Sequence, residues 1–478
     1  MSVAAHRRAL PDAPARRGWC PGLSRPMPTG DGLLARVHPP LGILTLPQAR
    51  AVAEGARRFG NGHLDLTARA NLQIRGVSDA TRAPLARLLE AAGLGDTRAD
   101  GGPQRLTLTS PLAGRDPAET FDVPALARAI EAAGLAVSGL PAKTLVVVEG
   151  RLRAEMPEAD AYVFPAASGG VRIAVAAEEH GRRDCVTCSE EEAPAAVAAL
   201  LNAFAGTGRR RTRDLSPDDF SALENAVRLA MQAQVPSPVR ERDRVRGQVF
   251  PDRAHPSPQP SPARERGRGG VSPIGAPFSP PAGIAPLAAS QSVLTVDAPF
   301  GRCTADALDR LVDLASRLSA EEIRLSPTRG FMLLSRQEPS DADLTALAQN
   351  FIVAPDDPRR SVAACTGAPA CASGSTPTLA DAADVAEAFR PFGADGRSAH
   401  VSGCAKGCAR PGPADLTLVG RDGLYGAVIG GAPGDEPAMH LPIEAVLERL
   451  GRAKTIGLAA AFAPDRAKTD IGRTRRPA

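Results

Sequence analysis

The sequence predicts an α+β protein built of α/β sandwich units and duplicated about a pseudo-twofold axis. Three observations predict it. One stretch maps onto a later one by a constant shift, a Pro/Arg-rich segment separates the two, and four cysteines form two close pairs toward the C-terminal end. Internal repetition is read first because it dictates architecture. At 478 residues the chain has room for about three domains.

Composition narrows the function classes. Hydrophobic residues make up 43% and charged residues 23%, enough for buried cores. Aromatics are only 3%, too few for the base-stacking platforms of single-strand binders. A net charge of +4 implies no polyanionic partner. No apolar run reaches bilayer length, and no apolar core of a secretory signal comes after the N-terminal arginines. A cytoplasmic protein with no membrane and no nucleic-acid partner is the expectation. A nucleic-acid-binding or non-catalytic iron–sulfur protein is the reading from another class, supported only by the linker arginines.

Along the chain, residues 1–23 read as an N-terminal tail. A shift of 259 positions places Pro40, Gly42 and Thr45 on Pro299, Gly301 and Thr304. Leu64, Leu66 and Thr67 fall on Ile323, Leu325 and Ser326 in the same register. Each copy begins with a strand (Leu33 to His38; Val293 to Asp297) and a glycine turn. A helix opened by Thr45 or Thr304 comes next. Thr45 and Gln48 form a capping box with Pro47 in the first turn, and Val52, Ala53, Ala56 and Phe59 recur at helical spacing. A second strand and another helix complete each unit. The first unit spans 24–100 and leads into an α/β domain over 101–235. Residues 236–290, rich in Pro, Ser, Gly and Arg, read as a disordered linker, since such a stretch buries too little apolar surface to offset its ordering entropy. The second unit spans 291–352 and leads into an α/β domain over 353–478.

Eight cysteines in a long chain do not make a disulfide scaffold. Cys365 and Cys371 form C-x5-C, and Cys404 with Cys408 forms C-x3-C. Four thiolates match the needs of a [4Fe–4S] cluster, and the surrounding glycines bring backbone N–H groups to the sulfurs. Structural zinc favours knuckles of C-x2–4-C, which the x5 spacing with its proline does not fit. Cys185 and Cys188 read as an incidental pair and Cys303 as structural. Cys20 stands alone.

These features resemble the sulfite/nitrite reductase family. The phrases RGWCPGLSRPMPTGDGLLARV, DLTARANLQIRG and HVSGCAKGCARPGPADLTLVG resemble, within it, the precorrin-3B synthases. The resemblance implies two ferredoxin-like half-domains and two larger α/β domains, the last binding the cluster. It makes Cys365, Cys371, Cys404 and Cys408 the cluster ligands, and matches Arg69, Arg105 and Lys143 to catalytic cations. Where the reductases carry a second lysine this chain has Leu145, which weakens the case for reducing a small anion. Arg69, Arg75, Arg105, Lys143 and Arg329 are candidates to bind the carboxylate rim of a tetrapyrrole, because guanidinium matches carboxylate in a bidentate way. Thr67 and Asn71 are expected to shape the turn presenting Arg69.

The activity implied is an O2-dependent monooxygenase that hydroxylates precorrin-3A at C20 with closure of a γ-lactone. The substrates would be precorrin-3A and O2, with an external electron donor (NADH through a reductase, or ferredoxin). A non-haem iron is also implied; its ligands are not readable, and His38, His63 and His400 do not form a set. The alternative is a sulfite or nitrite reductase, which would hold sirohaem.

Overall fold

The computed structural model describes residues 19–177, 181–234, 277–288 and 291–464. Residues 1–18 of the expected tail and 236–276 and 289–290 of the expected linker lie outside the described residues.

The first half supplies β1 (Met27–Thr29), β2 (Gly32–Val37), β3 (Ile43–Thr45), α1 (Leu46–Phe59), β4 (His63–Leu66), β5 (Leu72–Val77) and α2 (Asp79–Ala91). An α/β region comes next: β6 (Thr107–Thr109), α3 (Val123–Leu135), β7 (Val146–Val148), β8 (Ala161–Pro165), β9 (Val171–Ala176), β10 (Arg182–Cys188), α4 (Ala193–Gly206) and α5 (Pro217–Gln234). The second half repeats the plan with β11 (Gly283–Ala288), β12 (Gln291–Asp297), β13 (Arg302–Thr304), α6 (Ala305–Arg317), β14 (Glu322–Ser326), β15 (Gly330–Ser335) and α7 (Asp341–Ala348). Its α/β region holds β16 (Val362–Ala364), α8 (Thr378–Ala394), β17 (Ala399–Ser402), β18 (Ala414–Arg421), β19 (Leu424–Gly431), β20 (Met439–Leu441), α9 (Ile443–Ile456) and α10 (Leu458–Ala461).

These strands form four five-stranded sheets. The order β1-β2-β5-β4 is completed by β13 of the other half, and β11-β12-β15-β14 is completed by β3 of the first. Each half therefore lends one short strand to its twin, with Cys303 opposite Leu64 and Leu44 opposite Ile323. Helices α1 and α6 meet alongside this exchange. Arg50 and Asp309, equivalent under the repeat, pair with each other at 3.1 Å. The matched turns share a demanding backbone: Leu41 and Phe300 both take positive φ, at 54° and 55°. Such strain in non-glycine residues persists only where the surroundings over-determine it. The Thr45 capping box with Gln48 forms as the sequence predicts.

The other two sheets also share one topology. Orders β6-β7-β8-β9-β10 and β16-β17-β18-β19-β20 both run parallel, parallel, antiparallel, antiparallel. Their first loops share three backbone bonds. Asp116 N–H donates to Leu112 O and Glu119 N–H to Asp116 O; Cys371 N–H donates to Gly367 O and Gly374 N–H to Cys371 O. Thr120 N–H reaches Gly150 O as Ser375 N–H reaches Gly403 O. Duplication thus extends through the larger domains.

One expectation fails. Residues 283–288, inside the stretch read as disordered linker, form β11, paired antiparallel to β12. Phe278 and Ala282 before it are buried. Pro286 obscured the strand, but β11 is an edge, where a missing N–H is tolerated. Among the described residues no helix is long and apolar enough to cross a membrane.

Candidate functional site

The two cysteine pairs come together because β16 and β17 are adjacent parallel strands. Cys365 comes directly after β16, and its N–H donates to Val401 O at 3.2 Å. Gly403 and Cys404 come just after the end of β17, and Gly403 N–H donates to Cys365 Sγ at 3.1 Å. Gly367, Gly374 and Gly403 stack so tightly that a Cβ on Gly403 would lie 3.1 Å from the Gly367 Cα. Burial pushes the Cys404 and Cys408 thiols upward, and the sulfurs of Cys365 and Cys371 push both further. Four mutually repelling thiolates in a partly buried cradle call for cationic metal between them. Among the described residues no three Cys, His, Asp or Glu side chains converge as they would on one ion. A cubane takes one thiolate on each of four separate irons. The residues present fit a [4Fe–4S] cluster.

The first half-domain props this cradle. Arg75 is buried, donating from Nε to Asp31 (2.9 Å), from Nη1 to Asp65 (3.0 Å) and from Nη2 to Ala370 O (2.7 Å) in the C-x5-C loop. Its fork is thus committed inside the protein, and the expectation that it binds substrate is corrected: it is a strut under the cysteine loop. Gly30 N–H reaches the same carbonyl at 3.0 Å, and any Cβ on Gly30 would meet Pro369 O at 2.3 Å. Arg302 joins in, holding Asp65 at 2.6 Å and Thr366 Oγ1 at 3.3 Å.

Arg105 lies behind the Arg69 turn. It is buried, and its guanidinium donates to the carbonyls of Pro39 (2.9 Å), Ala70 (3.0 Å) and Arg69. It fixes the turn that carries Arg69. Thr67 Oγ1 accepts from the N–H groups of Arg69 and Asn71 in that turn, as expected. Arg329 donates to Ala409 O at 2.7 Å, within the field of Cys365 and Cys408, so it borders the cysteines rather than a distant rim.

Arg69 and Lys143 remain open. Arg69 donates one bond to Lys143 O at 2.7 Å. Burial, then Arg211, brings its pKa down to about 10. Burial also lowers Lys143, reinforced by Arg69, Arg36 and Arg211, while Cys408 opposes them. Arg36, Arg69 and Arg211 thus lie within electrostatic reach of Lys143, as does Cys408. Asp160 is their nearest carboxylate; it is buried, lies 3.0 Å from Arg211 Nε and accepts from the N–H groups of Leu145 and Thr212. A wall of cations so poorly compensated attracts a multiply charged anion. Arg36 and Arg211 were missed from sequence. Arg36 sits in an apolar strand, and Arg211 hides in the run GRRRTRD, which reads as solvated charge.

A model of the nitrite/sulfite reductase ferredoxin-like half domain matches residues 25–92. Over 455 residues the chain is 31% identical to a precorrin-3B synthase of Sinorhizobium sp, covering 92% of this chain and 89% of that protein. The chain belongs to the precorrin-3B synthase branch of the sulfite/nitrite reductase family. It is accordingly an oxidoreductase. A ferredoxin–nitrite reductase of Synechococcus elongatus is 25% identical over 86% of this chain and 80% of its own. The NirA protein of Mycobacterium tuberculosis shares the fold, with a TM-score of 0.60 at 19% identity over 88% of this chain and 80% of that one.

In this synthase branch the remaining candidates separate cleanly. Leu145, at the position of the absent lysine, is buried in the central apolar core with Leu108 and Val147. Burial pushes Cys185 up to about 12 and Cys188 up to about 11, so neither is a ready redox thiol. Cys303 is buried in the exchanged strand. His63 Nδ1 and both ring nitrogens of His400 are buried without hydrogen-bond partners. No mononuclear iron site assembles among the described residues, and no chemistry is assigned through one.

The cysteine-free twin loop carries ion pairs instead. Asp116 stands where Cys371 does, and Arg151, after Gly150, stands where Cys404 does. These two approach at 3.6 Å, and Arg151 Nε also meets Glu149 at 2.8 Å. A cavity of ≈ 670 Å³ opens beside them, lined by Arg115, Glu119, Arg128 and Arg324 among others.

Proposed function

We propose that this oxidoreductase converts precorrin-3A to precorrin-3B, using O2 to hydroxylate C20 while a ring-A acetate closes to a γ-lactone. The observation that carries the reading is the wall of Arg36, Arg69, Lys143 and Arg211 beside Cys408. A reduced tetrapyrrole with a rim of carboxylates matches such a group in charge. Cys365, Cys371, Cys404 and Cys408 hold a [4Fe–4S] cluster, which when bound supplies single electrons from an external donor, NADH through a reductase or a ferredoxin. Arg69 and Lys143 orient the carboxylates. Arg105 positions Arg69, and Arg75 supports the cysteine loop. Leu145 favours a tetrapyrrole as substrate over a small anion reduced on sirohaem, because the second cation of the reductases is replaced by core. The reaction is placed in the cytoplasm.

Anaerobic purification followed by absorption spectroscopy and iron and sulfide assays tests the reading. Broad cluster absorption without tetrapyrrole bands is expected, with turnover of precorrin-3A adding one oxygen atom from labelled O2. Sirohaem extracted from the purified protein, together with nitrite- or sulfite-dependent oxidation of a reduced donor, would overturn it.

A further inference from the structure

The cavity beside the cysteine-free loop follows from a difference between the two copies. By the repeat, Ile43 stands where Arg302 does, and Glu322 and Arg324 stand where His63 and Asp65 do. In the cysteine-bearing copy Arg302 lies opposite Asp65, binds it and reaches Thr366 in the loop. In the other copy Ile43 lies opposite Arg324. Isoleucine has no polar group to extend toward its loop, and ≈ 670 Å³ stays open between β14, the loop and the start of α3. That volume is of the size that small organic ligands occupy.

The lining sorts into paired and unpaired charge. Arg324 is committed: its guanidinium donates to Pro111 O and Ala113 O at 2.8 Å each and to Glu322 at 2.7 Å. Asp122 caps α3 by accepting from Ala125 N–H at 2.9 Å. Asp116 accepts from Ala118 N–H at 2.9 Å and faces Arg151 at 3.6 Å. Glu119 accepts from Gly114 N–H at 2.8 Å, and with a pKa of about 7 it carries less negative charge near neutrality than an ordinary carboxylate. Arg115 in the loop and Arg128 on α3 complete the charged lining. Among the described residues neither of these two side chains has a hydrogen-bond or ion-pair partner. Guanidinium forks without acceptors at the edge of a cavity match an oxyanion. Ile43, Pro117, Phe121 and Pro124 line the same space and offer apolar surface that a bare inorganic ion would leave uncovered.

We propose that this cavity binds a compact organic anion, its phosphate or carboxylate group held by Arg115 and Arg128 and its apolar body set against Phe121 and Pro124. None of the cluster cysteines lines the cavity, nor do Arg36, Arg69, Lys143 or Arg211, so the site is separate from the one proposed for the tetrapyrrole. Its back wall is already formed, because Arg324 fixes the loop carbonyls before any ligand arrives. Arg115 and Arg128 are exposed and lose side-chain freedom on binding, so the affinity expected is modest.

Calorimetric titration of the full-length, cluster-loaded protein under anaerobic conditions tests this, with phenyl phosphate and phthalate as probes and phenol as the uncharged control. At least one of the two anions should bind saturably at a single site per chain, and phenol should not. Tighter binding of phenyl phosphate marks a phosphorylated ligand, and tighter binding of phthalate a carboxylated one. Arg115→Gln and Arg128→Gln should each weaken that binding roughly tenfold, the scale of one charge-assisted contact. Both positions are exposed, so circular dichroism and cluster absorption should match the wild type. Lys143→Ala should leave the affinity unchanged. No saturable binding of either anion at millimolar concentration would overturn the proposal. So would wild-type affinity in the Arg115→Gln, Arg128→Gln double variant, and if Lys143→Ala then abolished binding, the anion would be assigned to the other group of cations.

Discussion

Replacing Arg75 by methionine keeps most of the buried volume but removes the cation joining Asp31, Asp65 and the Ala370 carbonyl. Arg75 is 3% exposed, and its two carboxylate partners are 16% and 14% exposed. Breaking a buried pair by removing one partner costs about 3–5 kcal/mol, because a charge is left uncompensated. Asp31 loses its cation and keeps some solvent contact, while Asp65 keeps Arg302 at 2.6 Å, so the lower end of that range is expected. Urea unfolding followed by circular dichroism measures the loss, and iron content shows whether the Cys371 loop loosens with it. Titration supplies a sharper signature. In the wild type, burial raises the Asp31 carboxyl, but Arg75 with Thr29 outweighs it, so the folded pKa lies below the ordinary 3.8. Asp31 therefore contributes stability that is present above that ordinary value and lost as pH falls through the folded one. Without Arg75 burial dominates, and protonation relieves the stranded charge. The deficit of Arg75→Met should then be largest near neutral pH and shrink below about pH 4. A loss under about 1 kcal/mol, or a deficit independent of pH, would show that the strut acts by packing alone and refute the electrostatic argument.

Cys371→Ser should abolish the cluster's absorption and most bound iron while the four sheets remain, as judged by far-ultraviolet circular dichroism. Lys143→Ala should weaken binding of a carboxylated tetrapyrrole by roughly tenfold, the scale of one charge-assisted contact, and flatten its salt dependence in a fluorescence titration. Glu119, in the cysteine-free twin loop, is pushed up to about 7, first by burial and then by Asp116 and Glu149 against the N–H of Gly114. The folded state holds that proton more tightly than the unfolded chain. Its contribution is therefore full below the ordinary 4.5 and lost as pH rises through about 7. Glu119→Gln should flatten thermal stability across that window, and an unchanged pH slope would assign the slope to other groups.

What the sequence made legible was what local chemistry controls. Thr45, Gln48 and Pro47 announce a helix start within four residues, and the structure begins α1 there. The C-x5-C and C-x3-C spacings pointed to one site, because each pair needs only its own loop and the ends of adjacent strands. Nonlocal partners stayed hidden. Nothing in Ile43–Thr45 says that it pairs with β14 rather than with its own half. Arg75 and Arg105 lie in phrases that suggest function, but their acceptors are Asp31 and Asp65 in one case and the Pro39, Arg69 and Ala70 carbonyls in the other. Only the fold brings these acceptors to the guanidinium. The strand over 283–288 was lost in proline-rich composition, because edge strands tolerate a residue that central strands exclude.

The duplicated loops show how one scaffold supports two chemistries. The backbone bonds around Asp116 and Cys371 are the same, so the turn does not depend on which side chain it carries. What differs is how each loop is clamped from the half-domain beside it. Arg324 holds the carbonyls of Pro111 and Ala113 at 2.8 Å each, while Arg75 and Arg302 hold Ala370 O and Thr366 Oγ1. In the first loop Arg151 is shared between Asp116 and Glu149, and the protonation of Glu119 that burial favours avoids a further negative charge beside them. In the second, four thiols meet with Arg329 and Lys406 as further cations beside them, a donor set suited to metal. The cation wall draws Arg36 and Arg69 from the first half-domain and Lys143 and Arg211 from its α/β region, whereas Cys408 comes from the second half. Arg36, Arg69, Lys143 and Arg211 thus come from one half of the duplication and Cys408 from the other, and the two halves are joined by the strand that each lends its twin.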